Sequence, residues 1–88
     1  MKRNPDYVLR KIADECMLIP TGKAAQNFNG MITLNETAEY IWTHLEEAES
    51  PEALADMVTA EFEIDSETAY RDVCGLLREL CQVGMIHA

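Results

Sequence analysis

No run of apolar residues in this 88-residue chain approaches the length needed to cross a bilayer, and Met1-Lys2-Arg3-Asn4-Pro5-Asp6 lacks the apolar segment of a signal peptide. A cytoplasmic protein with no membrane partner is the expectation. Basic residues are scarce, with seven Lys and Arg against 16 Asp and Glu, for a formal net charge of -9. Such a surface repels phosphate backbones and anionic head groups, so a nucleic-acid partner is not expected. Cysteines number three, Cys16, Cys74 and Cys81, and none stands in a C-x-x-C arrangement. An odd count at these spacings argues against a disulfide framework. Cys74 and Cys81, seven apart on one helix, are separated by roughly 10 Å at about 1.5 Å rise per residue, too far to bridge. They are expected to act as buried or half-buried apolar groups. Neither His44 nor His87 joins them at a zinc-like spacing, so no metal or other cofactor is expected. His44 reads as a solvent-facing helix residue and His87 as part of a frayed end.

What the chain does have is 48% hydrophobic and 26% charged residues, the composition of a globular domain, and one domain over 1–88 is expected. Its most informative segment is Met31-Ile32-Thr33-Leu34-Asn35-Glu36-Thr37-Ala38-Glu39-Tyr40-Ile41-Trp42. A short apolar strand passes here into an amphipathic helix within one residue. Asn35 is a favoured N-cap, since its side-chain oxygen can accept from the free amides of the first turn, and Glu36 complements the helix dipole. Ala38, Ile41, Trp42 and Leu45 then fall at i, i+3, i+4 and i+7, one stripe that must be buried. Trp42 continues that stripe and reads as a core anchor.

Upstream, Tyr7 to Ala13 and Cys16 to Ile19 are rich in β-formers and separated by a short polar turn, the pattern of a hairpin. Lys23 to Phe28 reads as a loop with an irregular strand extension, and Asn29-Gly30 as a turn before the third strand. Downstream, Ser50-Pro51-Glu52 announces a second helix whose stripe is Leu54, Met57, Val58 and Phe62. Asp65-Ser66-Glu67 announces a third, running to about Gln82 and ended by Gly84. Met85 and Ile86 leave a short apolar tail. Strands come first and helices after, so the class is α+β.

The third helix carries two apolar stripes side by side: Ala69, Val73, Leu76, Leu80 and Val83, and next to them Tyr70, Cys74, Leu77 and Cys81. Either the helix is central and covered on both flanks, or part of the arc borders a groove. Met31 to Leu34 has no Lys, Pro or bulge to blunt it, so as a sheet edge beside this helix it would template an added strand.

These residues together resemble the PqqD-like family, the RiPP recognition elements that hold leader peptides. The parts that carry the resemblance are Val8-Leu9-Arg10, Leu18 to Gly22, Asn29 to Ala38, Ile41-Trp42, Asp72-Val73, Leu76-Leu77, Leu80 and Gly84-Met85-Ile86. The resemblance implies a winged-helix-like domain of three N-terminal antiparallel strands and three helices. A precursor's leader would add to the third strand, pack on the third helix and be presented to a modifying enzyme, often of the radical S-adenosylmethionine type. Carried over by position, Met31, Ile32, Thr33 and Leu34 would supply the backbone ladder. Tyr70, Val73, Cys74 and Leu77 are the groove candidates, flanked by Arg71 and Arg78. Such a protein binds and performs no chemistry. The sequence offers no paired carboxylates, nucleophile-base pair or phosphate loop in a supporting context. The open edge allows a monomer or a strand-exchanged dimer. Two rivals are a winged-helix DNA-binding regulator, which the charge disfavours, and a structural subunit of a larger enzyme.

Overall fold

A computed structural model describes residues 1–27 and 32–87. The strands are β1 (Lys2–Arg3), β2 (Tyr7–Ile12), β3 (Glu15–Pro20), β4 (Ile32–Leu34) and β5 (Ile86–His87). The helices are α1 (Gly22–Asn27), α2 (Glu36–His44), α3 (Pro51–Phe62) and α4 (Ser66–Gln82), with a 3-10 turn at Leu45–Glu47. An antiparallel sheet in the order β2-β3-β4 precedes the three long helices, so the architecture is the expected winged-helix-like α+β fold.

Register explains which side chains enter the core. Leu9, Leu18 and Ile32 stand opposite one another across the three strands, and Cys16 stands opposite Leu34. Strand alternation puts these on one face, and Cys16, Leu18 and Leu34 are buried there. Val8, Met17 and Ile19 fall on the other face with Ile12, which is 53% exposed. The helices close over the inner face with Ile41, Trp42 and Leu45, Leu54 and Val58, and Ala69, Val73, Leu77 and Leu80.

The caps expected at three helices form. Asn35, Ser50 and Asp65 accept from the backbone amides of Ala38, Ala53 and Thr68 at 2.8, 3.1 and 3.0 Å. At the end of α4, Gly84 N–H donates to Cys81 O and Met85 N–H to Leu80 O, the paired bonds of a Schellman motif. Gly84 adopts φ +79°, which this motif assigns to glycine. Within α4, Gly75 is the residue of lowest helix propensity, at a cost of about 1 kcal/mol relative to alanine.

Several expectations need correction. The segment read as a loop with a strand extension from Lys23 is the short helix α1, where Lys23, Ala24, Ala25 and Gln26 are all good helix formers. The C-terminal segment is neither a frayed end nor a loose tail. Met85 and Ile86 are buried, and β5 pairs with β1 through Lys2 with His87 and Arg3 with Ile86. Asn4 reinforces this closure, its amide and side chain donating to Met85 O and Gly84 O at 2.8 and 2.9 Å. His44 is half-buried against Tyr40 and bonds Glu47 at 2.8 Å. Of the thiols, Cys16 is buried and Cys74 half-buried, but Cys81 is exposed. Val83, expected in a buried stripe, is 39% exposed at the C-cap of α4. The expected Asn29-Gly30 turn and Met31 lie outside the described residues.

Candidate functional site

β4 stands at one edge of the sheet. It pairs with β3 on one side, and among the described residues no strand pairs with the other. Ile32 and Leu34 point to the inner face, half-buried and buried, while Thr33 is exposed on the outer one. The strand is three residues long, a length that limits self-association without removing the free ladder.

The residue after β4, Asn35, lies on the rim of a hollow of about 360 Å³ between the start of α2 and the middle of α4. Ala38 and Ile41 of α2 and Leu76 of α4 give it an apolar floor, and Thr37, Arg71, Asp72 and Glu79 a polar rim. Gly75 completes the lining, and a Cβ built on it meets none of the described residues within 4 Å. Arg71 makes a 3.5 Å contact to Glu67. Neither Asp72 nor Glu79 has an ion-pair partner among the described residues.

A second hollow, about 690 Å³ and mainly apolar, lies on another flank of α4. Met1, Pro51, Leu77, Arg78, Cys81 and Ile86 line it. The residues singled out on the third helix therefore divide. Arg71 lines the hollow beside Asn35, while Leu77 and Arg78 line the second one. Val73 is fully buried in the core. Tyr70 is 42% exposed on the α3 side, where its hydroxyl donates to Glu52 at 3.4 Å. The neighbouring Cys74 thiol, with the charge of Glu52 adding to it, pushes the Tyr70 phenol above its ordinary value. Asp72, Gly75, Leu76 and Glu79, which line the hollow nearest β4, were not among the sequence candidates. Gly75 is the signal that could have found them, a glycine in the interior of an otherwise well-formed helix.

Sequence comparison decides which family this arrangement belongs to. The family model described as coenzyme PQQ synthesis protein D (PqqD) matches residues 15–86. The chain belongs to the PqqD family. No functionally curated protein matches it significantly in sequence. Among solved structures, TbiB1 in complex with the TbiA(beta) leader peptide superposes with a TM-score of 0.76 at 28% identity, over 100% of this chain and 96% of that one. Lasso peptide synthetase B1 complexed with the leader peptide also gives a TM-score of 0.76, at 24% identity, over 99% of this chain and 96% of that one. The second likeness is one of fold. The PqqD assignment spans β3 to β5 and so includes both β4 and α4. Among the described residues no helix is long and apolar enough to cross a membrane, and no group of three or more His, Cys, Asp or Glu is placed to hold a metal ion.

Proposed function

We propose that this PqqD-family protein, acting as one domain over 1–88, binds the leader of a ribosomally made precursor peptide. The leader adds as a strand to β4 through the backbone of Ile32 to Leu34 and packs along α4. The attached core segment is thereby held for a modifying enzyme, of the radical S-adenosylmethionine type. The observation that carries this reading is the position of β4 at a sheet edge beside the Asn35–Leu76 hollow, in a fold shared with two proteins solved with leader peptides.

The role is binding in the cytoplasm and asks no covalent chemistry of this chain. Strand addition supplies main-chain hydrogen bonds, and selectivity comes from the pockets that alternate side chains meet. Ordering a flexible leader offsets roughly 2 to 5 kcal/mol of the interaction, so micromolar affinity is expected for the isolated pair. Such a complex can release its cargo. The same edge admits β4 of a second copy, so the protein is a monomer or a strand-exchanged dimer that bound leader would dissociate.

The test is a two-dimensional amide spectrum of labelled protein titrated with the synthetic leader of a short precursor sought among the genes neighbouring its own. Shifts concentrated at Ile32 to Leu34 and at Arg71 to Glu79 are expected. A titration that perturbs neither segment would overturn the reading. A structural-subunit role draws support from the second, more apolar hollow. It predicts instead a chain that aggregates alone and dissolves when co-expressed with one enzyme.

A further inference from the structure

Gly75 is unexplained by the fold that contains it. It lies in the interior of a 17-residue helix, where glycine weakens the helix because it loses the most backbone freedom on folding. A close approach of another element can demand glycine at such a place. Among the described residues none occurs here, since a Cβ at Gly75 would touch nothing of them within 4 Å, and its φ is not in the left-handed region. Alanine would fit within the chain and hold the helix better. Nothing among the described residues thus requires a bare position here, and a visitor from outside the chain would supply the reason for it.

The surroundings say what that visitor is. Gly75 opens onto the hollow whose rim begins at Asn35, directly after the edge strand. Its Cα leads toward an apolar floor of Ala38, Ile41 and Leu76, and on α4 it is flanked by two exposed carboxylates, Asp72 three residues before and Glu79 four residues after. Helical geometry places all three on one face. Among the described residues the one cation on the rim, Arg71, is turned to Glu67.

We propose that Gly75 is a specificity-determining residue. A lysine or arginine of the bound leader lays its aliphatic stem across the bare helix backbone at Gly75 and over the apolar floor, and puts its charged head between Asp72 and Glu79. Long basic side chains behave in this way wherever apolar surface adjoins acidic groups. A Cβ at position 75 would lift the stem off the floor. The inference rests on the leader-binding reading and adds to it the class of residue read at this point.

The experiment pairs Gly75→Ala with an alanine scan of the same leader, using calorimetry for affinity and thermal unfolding for stability. Gly75→Ala is expected to raise Tm by about 2 to 8 °C, as replacement of a helix-interior glycine should in a chain of this size, while weakening leader binding at least fivefold. One Lys→Ala or Arg→Ala change in the leader should weaken wild-type binding by a similar factor and cost little further in Gly75→Ala, the coupling that marks direct contact. Gln82→Ala, on another part of α4, should leave affinity unchanged. If the wild type binds and Gly75→Ala binds equally well, or the coupled leader residue is not basic, this inference is overturned while leader binding stands. Failure of the wild type to bind overturns both.

Discussion

The backbone N–H of Arg3 donates to Oε2 of Glu46 at 2.9 Å, and the Arg3 guanidinium lies 3.5 Å from the same oxygen. One carboxylate thus fastens β1 to the turn that follows α2. The bond from the Arg3 amide is the main reason the Glu46 carboxyl is held below its ordinary value of 4.5, and the charge of Arg3 adds to it. A carboxyl whose folded pKa is depressed stabilises the fold above its unfolded pKa, and that stability is lost as pH falls through the folded value. Below about pH 4.5, Tm of the wild type should therefore fall more steeply than Tm of Glu46→Gln. Parallel curves for the two proteins across this range would refute the assignment.

Leu18 is fully buried where all three strands of the sheet meet the helices. Leu18→Ala should lose about 2 to 5 kcal/mol through lost transfer energy and an unfilled cavity. Domains of this size have little stability to spare. The urea midpoint should drop accordingly, and a change under about 1 kcal/mol would mean that the neighbours collapse into the space.

Asn35 joins β4 to α2, and its side chain accepts from Ala38 N–H at 2.8 Å. Asn35→Ala should cost about 1 kcal/mol, whereas Asn35→Asp keeps the acceptor and adds a charge that suits the helix start. Differential scanning calorimetry of the two variants separates the cap from general disturbance of the junction, since only the alanine variant should melt earlier.

The three thiols should react in the order of their exposure. Cys81 is exposed, Cys74 half-buried and Cys16 only 5% exposed. Burial pushes the Cys16 thiol up, and the neighbouring Glu39 carboxylate adds to the effect. Titration with a chromogenic disulfide at pH 8 should modify Cys81 first and leave Cys16 intact until the protein unfolds. Early modification of Cys16 would show that the sheet opens readily.

Random duplex DNA should not shift this protein in a gel, even at low salt. The net charge of -9 and the acidic rim of α4 leave few phosphate contacts to form. A salt-dependent shift would restore the regulator reading that the charge disfavours.

The capped helices were legible in the sequence because each start is written locally. Asn35, Ser50 and Asp65 carry the acceptor, and Gly84 supplies the left-handed residue at the end of α4. The helix α1 was not legible, since six residues without an acidic first turn show neither periodicity nor a dipole signal. The pairing of Lys2 with His87 was invisible for a different reason. Two residues have no alternation to read, and their partner lies at the far end of the chain. For the site, the edge strand could be read as an apolar run, but the face of α4 nearest to it could not. Hydropathy ranks Leu76 and Leu77 alike, and only the fold decides that half-buried Leu76 lines the hollow beside Asn35 while Leu77, nearly buried, lines the other one.

The closure of β1 on β5 also settles how the protein meets mechanical load. Lys2 pairs with His87 and Arg3 with Ile86, so the chain enters at Lys2 and leaves at His87 from the same end of a two-residue antiparallel ribbon. Tension that draws those ends apart acts across the ladder and peels its hydrogen bonds in sequence, whereas a shearing pull would load them together. The Asn4 bonds to Gly84 and Met85 stand next in line, ahead of the buried sheet. A pull through both ends would thus unfasten the ribbon and the last turn of α4 at low force, well before the β2–β3 hairpin gives way.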